Sequence, residues 1–174
     1  MSLATWYQHN LMPTYTASSL DDIDWHSLTA QGIKLALIDL DNTLAAHGAT
    51  KPSSYAKQSI RAMQDAGLIT VILSNAKGSR SKAFATELGI DCLGQANKPS
   101  GKKIRQYLAK HQVTANECLI IGDQLLTDIW AANRAGTKSL LVRPLYQMEA
   151  LNVRLKRLIE QWLIKRYGIN ATHL

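Results

Sequence analysis

Residues 33–44 read IKLALIDLDNTL, and this stretch decides the fold. A mostly apolar run such as this is typical of a strand that is buried on both faces of a parallel sheet. The run ends in Asp39, and Asp41 follows two positions later, where the strand gives way to a loop. Carboxylates are costly to bury unless they are paired or bound to a metal, so their placement favours a functional site. The alternative is a polar strand end at which Asp41 and Asn42 form a turn.

Other short apolar runs alternate with helical patterns along the chain. Strands are predicted at 68–73, 117–121 and 137–142, with a weaker one at 91–93, and helices near 53–66, 79–88, 100–111 and 127–135. Thr114 and Glu117 have the spacing of a capping box, but a strand-like run follows, so we expect a turn there. The alternation predicts an α/β fold, a doubly wound parallel sheet of about five strands with helices on both faces.

The length of 174 residues suits one domain with small additions. We expect an N-terminal leader with a short helix over residues 1–30, an α/β core over 31–146, and a C-terminal amphipathic, basic helix over 147–174 packed on or beside the core. The sequence shows neither a bilayer-spanning apolar stretch nor a secretory signal. Only two cysteines occur, Cys92 and Cys118, both in apolar surroundings, which favours a cytoplasmic protein.

The chain is basic, with 20 Lys and Arg residues against 13 Asp and Glu residues and a formal charge of +7. Three kinds of partner fit this charge: nucleic acid, an anionic membrane surface, or a small anionic ligand. Aromatic residues make up 6% of the chain, and no segment is similar to an aromatic-rich RNA-reading strand. We therefore expect no specific nucleic acid partner, while an RNA- or ribosome-associated module stays as the alternative of a different class.

Residues that suit an anion follow the next two predicted strands. Ser74 and Asn75 end one strand and precede Lys77 and Gly78, and a hydroxyl with freed backbone N–H groups ahead of a helix can cradle a phosphate. The alternative is an ordinary helix cap. Lys98 lies in an Asn-Lys-Pro sequence before a helix, where its charge would neutralise an anionic substrate. An exposed surface lysine is the alternative.

The fourth strand ends in GDQLLTD, residues 122–128. Gly122 allows a close turn of the backbone, Asp123 lies at the strand tip, and Asp128 begins the next helix. Mg²⁺ prefers carboxylate oxygens and water, so Asp39, Asp123 and one acid acting through water make a credible site. The alternative for Asp128 is an acid that the helix dipole favours.

In chain order, these motifs read DLDNT, SN, NKP and GDQLLTD. Over residues 33–143, the chain resembles the haloacid dehalogenase (HAD) superfamily of phosphotransferases. The resemblance implies an HAD-like Rossmannoid core and a Mg²⁺-dependent phosphatase with an aspartyl-phosphate intermediate. It implies Asp39 as the nucleophile and Asp41 as the general acid and base. The implied Mg²⁺ ligands are Asp39, the main-chain carbonyl of Asp41, Asp123, and Asp128 through water, and the implied phosphate-binding residues are Thr43, Ser74, Asn75 and Lys98.

Further residues narrow the resemblance to one branch. Leu11-Met12-Pro13, the sequence GDQLLTDI, and Arg143-Pro144-Leu145 resemble the YqeG-like branch of HAD subfamily IIIA. That branch is related to mitochondrial and plastid phosphatidylglycerophosphate (PGP) phosphatases, which implies a phospholipid headgroup as the substrate. A soluble sugar or nucleotide phosphate is the alternative.

The spacing of the motifs predicts that there is no cap domain. Between Asp39 and Ser74, a loop and one crossover helix use most of the residues, since a βαβ unit takes about 30. One helix and a short strand fill the interval from Ser74 to Lys98. We therefore expect an open site that suits a bulky or membrane-bound substrate, and whether a partner subunit covers it is left open. His47 falls in the loop after Asp41, where we expect a solvated histidine.

The C-terminal segment has an amphipathic pattern with two interpretations. An apolar stripe is formed by Leu151, Leu155, Leu158, Ile159 and Trp162, and basic residues lie beside or opposite it at Arg154, Lys156, Arg157 and Lys165. We expect the stripe to pack against the sheet. The alternative is a peripheral helix on an anionic membrane.

Overall fold

Strand β2, Leu35–Ile38, is buried along its whole length at the centre of a parallel sheet. The computed structural model of the chain describes residues 1–76, 79–146 and 151–174, with only the backbone described at 151, 152 and 154. β2 pairs with β3, Ile69–Leu73, on one side and with β5, Cys118–Gly122, on the other. The strand that precedes Asp39 is therefore buried, as the apolar run predicts.

The sheet has seven strands rather than the predicted five or so. The remaining strands are β1 (Tyr15–Ala17), β4 (Asp91–Leu93), β6 (Lys138–Val142) and β7 (Thr172–His173). The order is β4-β3-β2-β5-β6-β1-β7, and every pairing is parallel. The two unpredicted strands are β1 and β7. They are three and two residues long, too short to show an alternating pattern. β1 covers the edge of β6, and β7 covers the edge of β1.

Helices cover both faces of the sheet, as predicted. In the described residues they are α1 (Leu3–Leu11), α2 (Trp25–Ala30), α3 (Ser54–Asp65), α4 (Arg80–Leu88), α5 (Lys102–Lys110), α6 (Trp130–Ala135) and α7 (Leu151–Tyr167). A π-helical turn, Leu125–Ile129, leads directly into α6, and a 3₁₀ turn, Ala115–Glu117, precedes β5. None of the described helices is long and apolar enough to cross a membrane.

Alternate side chains of β2 enter two different cores. Ala36 and Ile38 belong to the cluster that α3 and α4 complete, with Ile60 and Phe84 among its buried residues. Leu35 and Leu37 belong to the opposite cluster, which α5 and α6 complete. Burial on both faces explains why the strand is apolar throughout and does not alternate.

The intervals between the sequence motifs hold no cap domain in the residues that the structure describes. From β2 to β3 the chain forms a loop and α3, and from β3 to β5 it forms α4, β4 and α5. Lys77 and Gly78, predicted to extend the phosphate cradle, lie outside the described residues.

The terminal segments pack on the core through α1, α6 and α7. Tyr7, Leu11 and Leu163 form a third buried cluster, and Tyr7 donates a hydrogen bond of 2.8 Å to the carbonyl of Gly168. The division at residues 30 and 146 stays a prediction, although β1 and β7 place both terminal segments in the same sheet as the core.

The apolar stripe of α7 faces solvent, so the expectation that it packs against the sheet is wrong. Leu155 and Leu158 are each 63% exposed, Ile159 is 46% exposed and Trp162 is 54% exposed. The side chain of Leu151 lies outside the described residues. Glu160 and Leu163 on the same helix face inward instead. Helical periodicity identifies an apolar stripe but does not say which side of the helix meets the core.

Candidate active site

The carboxyl ends of three neighbouring strands, β3, β2 and β5, bring the predicted motifs together. Asp39 follows β2, Ser74 follows β3 and Asp123 follows β5. The backbone N–H of Asp39 donates to the carbonyl of Ile121 at 2.8 Å, which keeps these strand ends in register. Because the strands are parallel, residues far apart in sequence meet at one edge of the sheet.

Lys98 is buried among the carboxylates at this edge. Its Nζ donates to Asp39 Oδ1, to Asp128 Oδ1 at 2.6 Å and to the carbonyl of Leu73 at 3.1 Å. Burial disfavours the charged amine, but Asp128 and Asp39 outweigh this effect and raise the pKa of Lys98 above its usual range. The alternative of an exposed surface lysine is therefore wrong, since Lys98 is a buried cation facing Asp39.

Three buried carboxylates lie close enough to share one cation. Asp39, Asp123 and Asp128 each offer an oxygen within 4.8 Å of the others. Burial raises the pKa of Asp39 well above its usual range, and the neighbouring carboxylates add to this effect. Burial and then Asp128 raise the pKa of Asp123 to about 7. Carboxylates that disfavour one another's charge in this way, in an all-oxygen set, fit a divalent metal ion.

Gly122 makes room for this cluster. A Cβ at position 122 would lie 2.3 Å from Cγ of Asp128, far closer than any ordinary contact. The absence of a side chain therefore lets Asp128 approach the end of β5, where its Oδ2 accepts from the N–H of Gln124 at 3.1 Å. Asp128 also lies in the first turn of a helix, where the helix dipole favours an acid. This alternative role is compatible with its place in the carboxylate cluster.

Asp41 lies beside Asp39 and has a different environment. Its Oδ2 accepts from Arg80 Nη2 at 2.5 Å, and its Oδ1 accepts from the N–H of Gly48 at 3.1 Å. His47 Nδ1 is 3.6 Å from the same Oδ1, and its side chain is about half exposed. Asn42 has a φ of 65°, which turns the chain sharply after Asp41. The loop thus contains the predicted turn at Asp41 and Asn42, and it also places Asp41 at the candidate site.

An open cavity of about 410 Å³ connects these residues. Asp39, Asp41, Ser74, Asn75 and Lys98, all residues of the predicted site, line it. Other lining residues are His47, Arg80, Gln124, Thr127, Val153 and Lys156. Thr43 is not among the residues that line this cavity; its hydroxyl donates to Asp123 Oδ1 at 3.4 Å. The proposed phosphate-binding role of Thr43 therefore stays a prediction.

Known proteins that are similar to this chain are phosphatases. The model of a family described as mitochondrial PGP phosphatase matches residues 4–145. The chain belongs to the PGP phosphatase family. It is thus a phosphatase, a phosphoric monoester hydrolase, as the motifs predict. The cavity at the strand ends is therefore the candidate active site of this member of the PGP phosphatase family.

Three relatives span most of this chain. The "Probable phosphatase YqeG" of Bacillus subtilis (strain 168) is 29% identical over 90% of this chain and 93% of the relative. The chloroplastic PGP phosphatase 1 of Chlamydomonas reinhardtii is 28% identical over 93% of this chain but only 64% of its own length. The chloroplastic/mitochondrial PGP phosphatase 1 of Arabidopsis thaliana is 32% identical over 90% of this chain and 48% of its own length.

Solved structures share the fold of this PGP phosphatase family member. A Listeria monocytogenes protein aligns with a TM-score of 0.52 at 15% identity over 76% of this chain and 99% of its own. The cobalt-bound deoxy-D-mannose-octulosonate 8-phosphate phosphatase of Haemophilus influenzae aligns with a TM-score of 0.51 at 15% identity, covering 79% and 91% of the two chains.

Two arginines of the site were not predicted from the family motifs. Arg80, at the start of α4, bonds Asp41 and donates to the carbonyl of Ala49 at 2.9 Å. Arg157, on α7, donates from Nη2 to Asp123 Oδ2 and from Nη1 to the main-chain carbonyl of Asp123. The sequence shows Arg157 only as one basic residue of an amphipathic helix, because nothing local indicates that α7 reaches Asp123.

Proposed function

We propose that the chain is a Mg²⁺-dependent phosphomonoesterase that dephosphorylates PGP at a membrane surface. One observation carries the chemistry: Asp39 lines an open cavity while Lys98 and two further carboxylates surround it. A carboxylate nucleophile divides the hydrolysis into two easier steps. The positive charge around Asp39 reduces its repulsion of an anionic phosphate.

In the first step, an oxygen of Asp39 forms a bond to phosphorus as the bond from phosphorus to the substrate oxygen breaks. Asp41 lines the same cavity and donates a proton to the departing oxygen. In the second step, Asp41 takes a proton from water, whose oxygen attacks phosphorus and breaks the bond to Asp39. Phosphate leaves, and Asp39 and Asp41 return to their starting states.

Neighbouring residues hold the phosphoryl group and its charge. Ser74 lies at the cavity with its Oγ within 3.1 Å of the N–H of Ala76, so its hydroxyl hydrogen can turn toward a phosphoryl oxygen. Lys98 balances the charge of the anion. We assign Mg²⁺ to Asp39, the main-chain carbonyl of Asp41, Asp123 and, through water, Asp128, where its charge would reduce the repulsion between the carboxylate nucleophile and the phosphate anion.

The lipid substrate is proposed from the relatives, two of which are named PGP phosphatases, and from the surface of α7. The same helix lines the cavity with Val153 and Lys156 and exposes four apolar side chains to solvent. Exposed apolar area with nearby basic residues suits an anionic membrane surface. We place the protein in the cytoplasm, peripheral to the inner face of the membrane.

The test is Mg²⁺-dependent hydrolysis of p-nitrophenyl phosphate and then of PGP in micelles, with wild type and Asp39→Asn. Asp65→Asn is the matched control, because this carboxylate lies exposed on α3 and pairs only loosely with Arg61, at 3.9 Å. We expect Asp39→Asn to abolish turnover of both substrates and Asp65→Asn to preserve it. Full Mg²⁺-dependent turnover by Asp39→Asn would falsify the mechanism. Cleavage of soluble sugar or nucleotide phosphates without PGP would instead favour the soluble alternative.

A further inference from the structure

Helix α7 places a cation directly on one of the proposed metal ligands. Arg157 donates from Nη2 to the carboxylate of Asp123 and from Nη1 to its main-chain carbonyl. Nη1 also donates to Glu160 Oε2 at 3.3 Å. The side chain of Asp123 is fully buried, whereas that of Arg157 is 15% exposed. The guanidinium thus covers Asp123 from the side of α7.

Arg157 and a divalent metal ion would meet at the same carboxylate, that of Asp123. The three carboxylates that could share a cation, Asp39, Asp123 and Asp128, already face Lys98 and Arg157, and Glu160 balances part of the charge of Arg157. A divalent ion bound to Asp123 while Arg157 still bonds the same carboxylate would hold two positive charges close together in a buried site, which is unfavourable. A divalent ion in place of Arg157 would balance the three carboxylates together with Lys98.

The attachment of α7 allows Arg157 to withdraw. The C-terminal half of the helix is anchored by buried Leu163 and by Tyr167, which packs on Tyr7. Around Arg157, the neighbouring apolar side chains of Leu155 and Leu158 are mostly exposed. Movement of this part of the helix would therefore remove little apolar surface from the core, although it would also strain the bond from Leu126 N to Glu160 Oε1, which measures 2.9 Å.

We propose that Arg157 and the divalent metal ion compete for Asp123, and that α7 is a displaceable arm that closes the metal site. The inference rests on the metal site of the proposed function. It adds that metal binding releases the region of α7 around Arg157. Since the same helix lines the catalytic cavity, its release also widens the access of a bulky substrate to Asp39.

Isothermal titration of MgCl₂ into the metal-free full chain tests the competition. Removing the competitor should lower the Kd for Mg²⁺ by about tenfold or more in Arg157→Gln. Lys156→Gln is the control for charge, because Lys156 lies on the same helix and lines the cavity but has no described bond to Asp123. Its Kd should change less than about threefold, since a partly exposed charge is screened. An unchanged or higher Kd in Arg157→Gln, or equal shifts in both variants, overturns the proposal.

Hydrogen exchange of the wild-type chain tests the same proposal if Arg157→Gln does not fold. Adding Mg²⁺ should speed amide exchange over residues 151–160 while exchange in β2 stays slow. Unchanged or slower exchange in that part of α7, with Mg²⁺ bound, overturns the competition and leaves the metal site standing. If neither wild type nor variant binds Mg²⁺, the inference fails together with the metal site of the proposed function.

Discussion

The side-chain amide of Asn75 holds the backbone of Lys98 at both of its polar groups. Asn75 Oδ1 accepts from the N–H of Lys98 at 2.7 Å, and Asn75 Nδ2 donates to the carbonyl of Lys98 at 2.9 Å. Lys98 in turn bonds Asp39 and Asp128. Asn75 thus connects the end of β3 to the lysine that faces the proposed nucleophile, which makes it a positioning residue in addition to a predicted phosphate contact.

Asn75→Ala should lower kcat by about 10- to 100-fold, because a displaced Lys98 no longer meets the reacting phosphate in the right geometry. KM should change less, since the remaining residues still contact the substrate. Steady-state kinetics with p-nitrophenyl phosphate measure both constants. Asn116→Ala, at an exposed position before β5, is the control and should match wild type. A large rise in KM with kcat unchanged would show that Asn75 only binds substrate.

Asp41→Asn should lose more activity on a substrate with a poor leaving group. The general acid matters most when the departing oxygen is basic, and its removal costs about 10²- to 10⁴-fold. We expect kcat/KM to fall further for phenyl phosphate than for p-nitrophenyl phosphate. The exposed Asp65→Asn variant again serves as the control. Equal losses on the two substrates would assign Asp41 a role other than proton transfer.

Local patterns in the sequence predict the centre of this molecule well. The run that ends in Asp39 is apolar because β2 is buried on both faces. Asp39 and Asp41 follow this strand at the edge of the sheet where the ends of the neighbouring strands also lie. Lys98 and Asp128 could be placed near Asp39 for the same reason. Parallel topology turns short motifs that are far apart in sequence into one site.

Contacts made by the terminal segments could not be predicted in the same way. β1 and β7 are too short to show an alternating pattern, and they form strands by pairing, β1 with β6 and β7 with β1. The orientation of α7 depends on Glu160 and Leu163, which face inward although the apolar stripe of the helix faces solvent. Arg157 reaches Asp123 only through that orientation, so the helical pattern alone does not reveal it.

Glu117 should contribute stability that disappears in acid. Hydrogen bonds from Lys34 and from Thr114 lower the pKa of Glu117 to about 2, and Thr114 N donates to its Oε2 at 2.9 Å. An acid whose pKa is lowered on folding stabilises the fold above its unfolded pKa of 4.5 and loses this effect as pH falls toward 2. Urea unfolding should therefore show Glu117→Gln to be less stable than wild type at pH 7, with a smaller difference at pH 3. Glu87→Gln, exposed on α4, should show no comparable change, and a difference that grows in acid would contradict the assignment.

Exposed Leu158 and Trp162 should bind anionic membranes directly. Burying an apolar side chain of this size in the interface contributes about 1.5–3 kcal/mol, and each basic residue near an anionic surface adds about 1 kcal/mol. Wild type should therefore sediment with phosphatidylglycerol-containing vesicles and bind neutral vesicles more weakly. The double variant Leu158→Gln/Trp162→Gln should lower the partition coefficient at least about tenfold. Ile69→Gln is the matched control, since Ile69 is 60% exposed but lies on β3, away from α7. If wild type does not bind anionic vesicles, or if Ile69→Gln weakens binding as much as the double variant, α7 is not the membrane-contacting surface.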